Sequence, residues 1–344
     1  RDSVVAIIFG DMATDLTLLQ SNDWGATWTK KVIWDWPLEY YNFGSMTMTD
    51  TNADNIPDTL YTLDGGFDVA IDKDGEVHAA FSTLRVYKDG STTGYNYFMF
   101  TSGMRYYNSI VDSVNEVDNI FTLHYALCNG DSTMTAIPNY TIASGVGDAN
   151  YNTIGLLTMP QVSVNEANDD IYLTYTAIAD GDQTEIDIAH PFWFGVSGVD
   201  GQPYRDVMVL SSNDKGANFG YPVNVSRTRH YEEAFVSVPE RVSGADLHML
   251  YQGDIEPGTI LQNDDTYDAD FENWMIYQKI NIGEIFAESA NISAPCNQFE
   301  LPLSTTDVAS TFNGTVNIYP NPANDFINIS FDSENKEAVT LNLF

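Results

Sequence analysis

The sequence predicts an all-β protein, a β-propeller built from four-stranded blades. Three observations indicate this fold class: an aromatic and glycine-rich composition, groups of short strand-like stretches that recur along the chain, and a turn-forming octapeptide that occurs twice. The 344 residues include 20 Tyr, 18 Phe, 6 Trp and 24 Gly. Aromatic residues favour strands and glycines favour tight turns, so the composition suits many short strands with close connections.

The strand-like stretches fall into groups of about 50 to 70 residues, a scale typical of propeller blades. The groups cover residues 4–34, 67–111, 159–212 and 233–282. A β-sandwich also contains many short strands, but it does not predict like groups that recur at one scale. We therefore expect a propeller over residues 1–290, with an incomplete first blade because the chain begins within one.

The octapeptide SNDWGATW at residues 21–28 returns as SNDKGANF at residues 212–219. Each copy follows an apolar run and precedes another strand-like stretch, so we expect a turn between two strands. An aspartate side chain accepts backbone N–H groups in such a turn, and a glycine supplies positive φ. The final aromatic ring is expected to pack between neighbouring sheets. The residues that match between the copies are Ser21, Asp23, Gly25 and Trp28 in the first and Ser212, Asp214, Gly216 and Phe219 in the second.

Charge excludes several partners. The chain carries 14 basic and 49 acidic residues, a formal net charge of −35. Such a charge repels nucleic acid and anionic membranes, and it suits the binding of cations. No apolar run approaches the roughly 20 residues of a membrane-spanning helix. The two cysteines, Cys128 and Cys296, allow one disulfide or two separate thiols, and their spacing does not decide between these alternatives.

The octapeptide resembles the Asp-box, S-x-D-x-G-x-T-W, of sialidase-like propellers. The first copy matches every key position, whereas the second has Asn218 and Phe219 in place of Thr and Trp. The resemblance implies a propeller in which each box joins the third and fourth strands of a blade, far from any central site. Sialidases also use three arginines, a Tyr–Glu pair and an Asp. This sequence assigns no catalytic residue, because its candidate arginines are scattered along the chain: Arg85, Arg105, Arg205, Arg227, Arg229 and Arg241.

The C-terminal region has a different character. Residues 291–315 are rich in Ser, Thr and Pro and predict a linker. The motif Tyr319, Pro320, Asn321, Pro322 and Ala323 then resembles the start of the type A sorting domain of the type IX secretion system of Bacteroidota, a small β-sandwich, and the alternative is an ordinary Pro-Asn turn. The resemblance implies that residues 316–344 form its N-terminal part and contact the secretion machinery. It further implies a protein of a Gram-negative bacterium that is secreted or anchored at the cell surface.

The stretch DTNADNIPD at residues 50–58 predicts a structural calcium site. Side-chain oxygens stand at positions 1, 3, 5 and 9 of this loop, and a backbone carbonyl is available at position 7. Calcium takes six to eight such oxygens. The stretch resembles the calcium loops of thrombospondin type 3 and related bacterial repeats, with Asn55 in place of their glycine. The alternative is a solvated acidic turn. The predicted ligands are Asp50, Asn52, Asp54, Ile56 and Asp58.

These observations predict a secreted or cell-surface propeller that acts in binding or adhesion, with glycans as the expected partner. Binding is favoured over catalysis because no catalytic constellation can be assembled from the sequence. The alternative is an extracellular glycoside hydrolase of the sialidase type. A structural component of a cell-surface layer is a third class that the sequence leaves open.

Overall fold

The structure is a computed structural model. It describes residues 3–38, 48–90, 96–120, 122, 155–178, 205–228, 231–254 and 273–296, and the backbone of residues 316–319 and 328–331. The chain divides into two compact units, Arg1–Phe299 and Glu300–Phe344.

The described part of the first unit contains four β-sheets that follow one another along the chain. Sheet I comprises β1 (Val5–Phe9), β2 (Leu16–Ser21) and β3 (Thr29–Trp34). Sheet II comprises β4 (Leu60–Ile71), β5 (Val77–Tyr87), β6 (Asn96–Asn108) and β7 (Ser113–Asn119). Sheet III comprises β8 (Leu157–Asn165), β9 (Ile171–Ala177), β10 (Asp206–Ser212) and β11 (Val223–Asn224). Sheet IV comprises β12 (Glu232–Ser237), β14 (Asp246–Asp254) and β15 (Trp274–Asn281).

Each sheet is an antiparallel meander in which strands adjacent in sequence are also adjacent in space. The two-residue strand β13 (Arg241–Val242) is an exception, because it leaves sheet IV and pairs in parallel with the first strand of sheet III. The fold is β-propeller-like, and the predicted fold class is confirmed. The number of blades remains a prediction. A helix, α1 (Ile282–Glu288), and a short 3₁₀ turn (Ala294–Cys296) follow the last sheet.

The hydrophobic core lies between successive sheets. Every residue of β9 and β10 is buried, because sheet III is packed between sheets II and IV. Strands β3 and β15 show more exposed positions, as expected for strands with one solvated face. The largest side chains of the contact between sheets II and III are Met104, Tyr106, Leu157, Tyr175 and Met208. Burial of apolar side chains on both faces of sheet III therefore holds the successive sheets together.

The first strands of sheets II, III and IV each contain a β-bulge. The register shifts between Leu63 and Phe67 in β4, between Thr158 and Gln161 in β8, and between Ala234 and Ser237 in β12. A bulge inserts residues that have no partner on the neighbouring strand and changes the direction of a side chain. A β-bulge is therefore common to β4, β8 and β12, the first strands of sheets II, III and IV.

The region after residue 290 differs in part from the expected linker. Ala294 and Pro295 are buried, and Ala294 belongs to the core between sheets III and IV, so residues 291–296 pack as part of the first unit. Cys296 is disulfide-bonded; the chain's other cysteine, Cys128, lies outside the described residues. In the second unit, β16 (Val316–Tyr319) and β17 (Asn328–Phe331) form an antiparallel pair.

Candidate functional site

The long connections of the described strands leave from one end of the sheets. In a meander, the first and third strands begin at the same end at which the second and fourth strands finish. The connections β7–β8, β9–β10 and β14–β15 all leave from this end, here named the long-connection end, and span residues 120–156, 178–205 and 255–273. The opposite end carries short turns, including both octapeptides. Binding residues concentrate on loops that a rigid scaffold positions, so the long-connection end is the first place to seek a site.

Four buried charged residues meet at this end, where sheets III and IV adjoin. We name Arg205, Asp206, Glu232 and Glu233 the acidic seam. All four are 0–3% exposed. The Arg205 guanidinium donates from Nη1 to Glu232 Oε1 over 3.1 Å, and its backbone N–H donates to Glu232 Oε2 over 2.7 Å. The backbone N–H of Glu233 donates to the Arg205 carbonyl, so the seam also links the backbones of the two sheets.

The pKa of Asp206 depends on its burial and on the neighbouring carboxyl group of Glu233. Burial raises the pKa of Asp206 well above its usual value, and repulsion from Glu233 raises it further. Hydroxyl groups bond to both side chains, from Ser226 Oγ to Asp206 Oδ1 over 3.0 Å and from Thr228 Oγ1 to Glu233. Burial and this repulsion therefore both favour the protonated form of Asp206.

The seam is closed to a substrate. The side chains of Asp206 and Glu233 are both buried, and neither is open to solvent. The seam supports the long-connection end of the sheets, and it does not present an acid–nucleophile pair to a substrate.

Asp64, beside the bulge of β4, has a similar supporting role between sheets II and III. Its carboxylate accepts hydrogen bonds from the side chains of Ser82 and Thr158 and from the backbone N–H groups of Gly66 and Gly155. Burial raises its pKa, and these four donors oppose that rise. Asp64 was not among the residues predicted from the sequence, and the Asp-Gly-Gly triplet at residues 64–66, inside β4, is the signal that was available.

The opposite end holds a second charged cluster. The carboxylates of Asp72, Asp74 and Asp169 lie within 4.8 Å of one another, close enough to share a cation. Two lysines already reach them: Lys215 Nζ lies 3.2 Å from Asp169 Oδ2, and Lys73 bonds to the same carboxylate. Because these ammonium groups neutralise the carboxylates, the cluster is an ionic link between sheets II and III.

His78 also contacts this charged cluster. Its Nδ1 lies 2.6 Å from the hydroxyl of Tyr106, and its Nε2 lies 3.5 Å from Asp72. Burial would raise the pKa of Asp72, but the neighbouring His78 ring and hydrogen bonds from the backbone N–H groups of Glu76 and Asp74 bring it down to about 2. Asp72 is therefore ionised throughout the ordinary pH range, and His78 has a structural role.

The two octapeptides have the same geometry, and each joins the last two strands of a sheet, β2 to β3 and β10 to β11. In the first, Ser21 Oγ accepts from Gly25 N over 2.8 Å, and Asp23 accepts from both the backbone and the hydroxyl of Thr27 over 2.7 Å. The bonds from Thr27 lower the pKa of Asp23 to about 2. In the second, Asn218 supplies the same two donors to Asp214.

The final aromatic residues of the two turns differ. Phe219 packs against Tyr106 with ring centroids 5.0 Å apart and joins the core between sheets II and III. Trp28 is 42% exposed, and its indole N–H donates to the carbonyl of Gly25. The expected packing of Trp28 between sheets is therefore wrong. Its ring lies against its own turn, whereas Phe219 projects towards the adjoining sheet II.

The predicted calcium loop is an exposed turn closed by its own polar groups. Asp50 accepts from the backbone N–H of Asn55 over 2.9 Å, and Asp54 accepts from that of Ile56 over 2.8 Å. Asn55 has φ 61°, the left-handed conformation that the glycine of related loops adopts. Asp58 bonds to Thr51, and this bond lowers its pKa. Among the described residues, the three carboxylates of this loop do not gather within 4.8 Å.

The described arginines do not converge on one pocket. Arg85 and Arg105 lie over the ring of Tyr61, at 4.8 and 5.4 Å from its centroid. Arg205 pairs with Glu232, whereas Arg227 pairs with Glu288 on α1. Arg241 lies on β13, and Arg229 lies outside the described residues. The described part of the chain therefore lacks the three-arginine site of a sialidase.

The predicted sorting motif is described only at its first residue. Tyr319 ends β16, and Pro320, Asn321, Pro322 and Ala323 lie outside the described residues. The described helices include none that is both long and apolar enough to cross a bilayer.

Comparisons with known proteins identify loose structural likenesses. No protein-family profile matches the chain, and no curated protein matches it by sequence. An α-L-arabinanase from Penicillium chrysogenum is 9% identical, with 81% of this chain and 57% of that chain covered and a TM-score of 0.31. The catalytic domain of an α-L-arabinofuranosidase from Coprinopsis cinerea is 13% identical, with 80% and 69% covered and a TM-score of 0.32.

A Hadza microbial sialidase is 12% identical, with 72% of this chain and 39% of that chain covered and a TM-score of 0.31. The chain thus spans just over half of the arabinanase and less than half of the sialidase. Likenesses at this level are too loose to assign an activity, and the function has to be argued from the residues of the site.

Proposed function

We propose that this protein is a secreted or cell-surface propeller that binds glycans at its long-connection end. The observation that carries the proposal is the set of three bulged first strands, β4, β8 and β12, which begin at that end. Strands β4 and β12 lie at the edges of their sheets, and an edge strand presents backbone N–H and C=O groups that no neighbouring strand pairs. Such groups suit a ligand with many hydroxyl groups.

Binding is favoured over hydrolysis by the state of the carboxyl groups. Asp206 and Glu233 are buried, and the carboxylate of Asp64 accepts hydrogen bonds from four donors. None of these three side chains is open to a substrate.

A glycoside hydrolase is the second candidate, and one observation favours it. The raised pKa of Asp206 is the property that a general acid requires at neutral pH. Such an enzyme would need Asp206 to become accessible when a substrate binds. Asp206→Asn would then abolish turnover and leave binding intact.

A glycan array followed by a reducing-sugar release assay on each bound glycan tests both candidates. We expect retention of at least one glycan class without release of reducing ends. Release that Asp206→Asn abolishes would establish the hydrolase instead. Absence of both retention and release would contradict the proposed function.

We further propose export by the type IX secretion system of a Gram-negative bacterium through residues 316–344. The support is the match at residues 319–323 and the separate compact unit that contains them. Expression in a Bacteroidota host should place the full chain outside the cell. Replacement of Tyr319, Asn321 and both prolines by Ala should retain it in the periplasm, and equal export of both forms would contradict the proposal.

A structural Ca²⁺ in the loop at residues 50–58 is a further proposal. The support is the spacing of oxygen ligands at loop positions 1, 3, 5, 7 and 9, together with the left-handed conformation of Asn55 and its hydrogen bond to Asp50. We expect calcium to raise the Tm of the protein and chelator to reverse the rise. Asp54→Ala should remove the response, whereas Asp11→Ala, in another exposed turn, should keep it. An identical Tm with calcium and with chelator would contradict the site.

A further inference from the structure

The bulges of the three first strands lie beside one another. The backbone at Gly66 of β4 is so close to β8 that an added Cβ would meet Pro160 Cδ at 3.0 Å and Met159 N at 3.1 Å. The backbone N–H of Phe235 on β12 in turn points to the Met159 sulfur over 3.4 Å. The three irregular segments therefore form one continuous patch across sheets II, III and IV.

Geometry explains why bulges matter at this position. Side chains of a regular strand alternate between the two faces of its sheet. In a propeller-like stack those faces contact the neighbouring sheets, so the inner edge of a first strand offers only its backbone to the centre. A bulged residue can direct its side chain away from both faces. Met159 is partly exposed and Phe235 is 47% exposed, whereas their neighbours Thr158 and Ala234 are buried.

The backbone at these positions is strained. Met159 and Phe235 both have φ 55°, and the equivalent position in β4 is Gly65 with φ 96°. Positive φ is unfavourable for a bulky side chain, and such strain persists where the surrounding structure imposes it, often at functional sites. Glycine satisfies this backbone in β4, whereas β8 and β12 keep a large apolar side chain in the same conformation.

We infer that Phe235 and Met159 form a stacking platform for a neutral sugar ring at the centre of the propeller-like unit. The inference rests on the proposed function and specifies the ligand class of its site. An exposed aromatic ring and a thioether provide an apolar surface, and the edges of β4 and β12 surround it with backbone donors and acceptors. A sugar ring has the complementary form, with apolar C–H faces and hydroxyl groups around its rim.

The negative charge of the protein favours neutral sugars over acidic sugars as ligands. The chain carries a formal charge of −35, which repels an acidic sugar. Among the described arginines, Arg105, Arg205 and Arg227 already pair with glutamates. Sialylated ligands are therefore expected to bind far more weakly than neutral ones.

Phe235→Gly in the full-length protein separates a binding role from a structural role. Glycine accepts φ 55° without strain, so the variant should keep its Tm or raise it by about 1–3 °C. Its affinity for the neutral polysaccharide that the wild-type protein binds should fall at least about tenfold, as expected when a stacking aromatic ring is lost. Trp24→Gly is the matched control, because Trp24 is also aromatic, exposed and at φ 60°, but lies in the first octapeptide turn. It should keep full affinity.

Affinity electrophoresis in arabinan, mannan, β-glucan and polysialic acid, with thermal melting in parallel, provides the test. Unchanged affinity of Phe235→Gly for a neutral polysaccharide would overturn the platform and leave the proposed function standing. A clear fall in its Tm would show a structural role and would also overturn the platform. Retention by polysialic acid alone would contradict the ligand class, and retention by none of the four would count against both proposals.

Discussion

At the scale of single residues, the two octapeptide turns show how one local sequence has different structural consequences. Gly25 and Gly216 occupy the same place in their turns, with φ 84° and 81°. A Cβ at Gly25 would meet only the Trp28 ring, at 3.4 Å. A Cβ at Gly216 would lie 2.0 Å from the hydroxyl of Tyr106, which is itself held by His78. Gly25 is required because its φ is positive. Gly216 is required because its φ is positive and because Tyr106 leaves no space for a side chain.

Alanine at the two glycines should therefore destabilise the protein to different extents. Gly25→Ala should lower the free energy of unfolding by about 1 kcal/mol, the cost of placing a Cβ at positive φ. Gly216→Ala should lower it by roughly 3 kcal/mol or more, because the link between Tyr106 and His78 must also move. Urea unfolding measures both values. Equal losses would contradict the packing of the second turn against sheet II.

At the scale of strands and sheets, the acidic seam makes the contact between sheets III and IV sensitive to pH. The pKa of Asp206 is raised in the folded protein above its value of about 3.9 in an unfolded chain. Between these two values the folded state binds more protons than the unfolded state. Stability contributed by Asp206 is therefore lost as pH rises from about 4 until the folded pKa is passed.

Asp206→Asn should remove this pH dependence. The variant should be more stable than the wild-type protein at neutral pH, and below the folded pKa of Asp206 the difference should shrink by about 1.4 kcal/mol for each pH unit towards pH 4. Urea unfolding from pH 4 to pH 7 measures it. A difference that stays constant over this range would contradict the raised pKa of Asp206.

Asp64→Asn provides the matched comparison at the seam between sheets II and III. Asp64 is also buried with a raised pKa, but its oxygens accept four hydrogen bonds. An amide would direct N–H groups at some of these donors and leave them without an acceptor, at about 1–3 kcal/mol for each buried group. We expect this variant to be less stable at every pH. A gain like that of Asp206→Asn would contradict the different roles of the two residues.

At the scale of the whole molecule, the sequence predicted the architecture better than the site. Local patterns, such as the recurring strand-like stretches and the repeated octapeptide, specify strands and turns, and the all-β propeller-like fold followed from them. Asn218 takes the place of threonine in the second octapeptide. The turn keeps its geometry, because the backbone N–H and the side-chain amide of Asn218 both donate to Asp214. The candidate site depends instead on where separate strands meet. Nothing near Phe235 in the sequence indicates that it adjoins Met159, 76 residues earlier.

The charged clusters were also not predicted, because each of them joins residues that are distant in the sequence. Asp72 and Asp74 lie at the turn between β4 and β5, but their lysine partner Lys215 comes from the second octapeptide, 141 residues later than Asp74. Asp206 and Glu233 stand on different sheets. With 49 acidic residues available, no local pattern distinguishes a paired carboxylate from a solvated one.

The central claim, that the centre of the propeller-like unit binds a glycan beside the long connections, is tested most directly by hydrogen–deuterium exchange. The full-length protein would be compared with and without the neutral polysaccharide that it retains. We expect slower exchange at residues 62–66, 157–161 and 232–237, because a bound sugar would engage the edges of β4 and β12 and the bulge of β8 between them. Slower exchange confined to the octapeptide turns at residues 21–28 and 212–219, or no change at any of these segments, would contradict it.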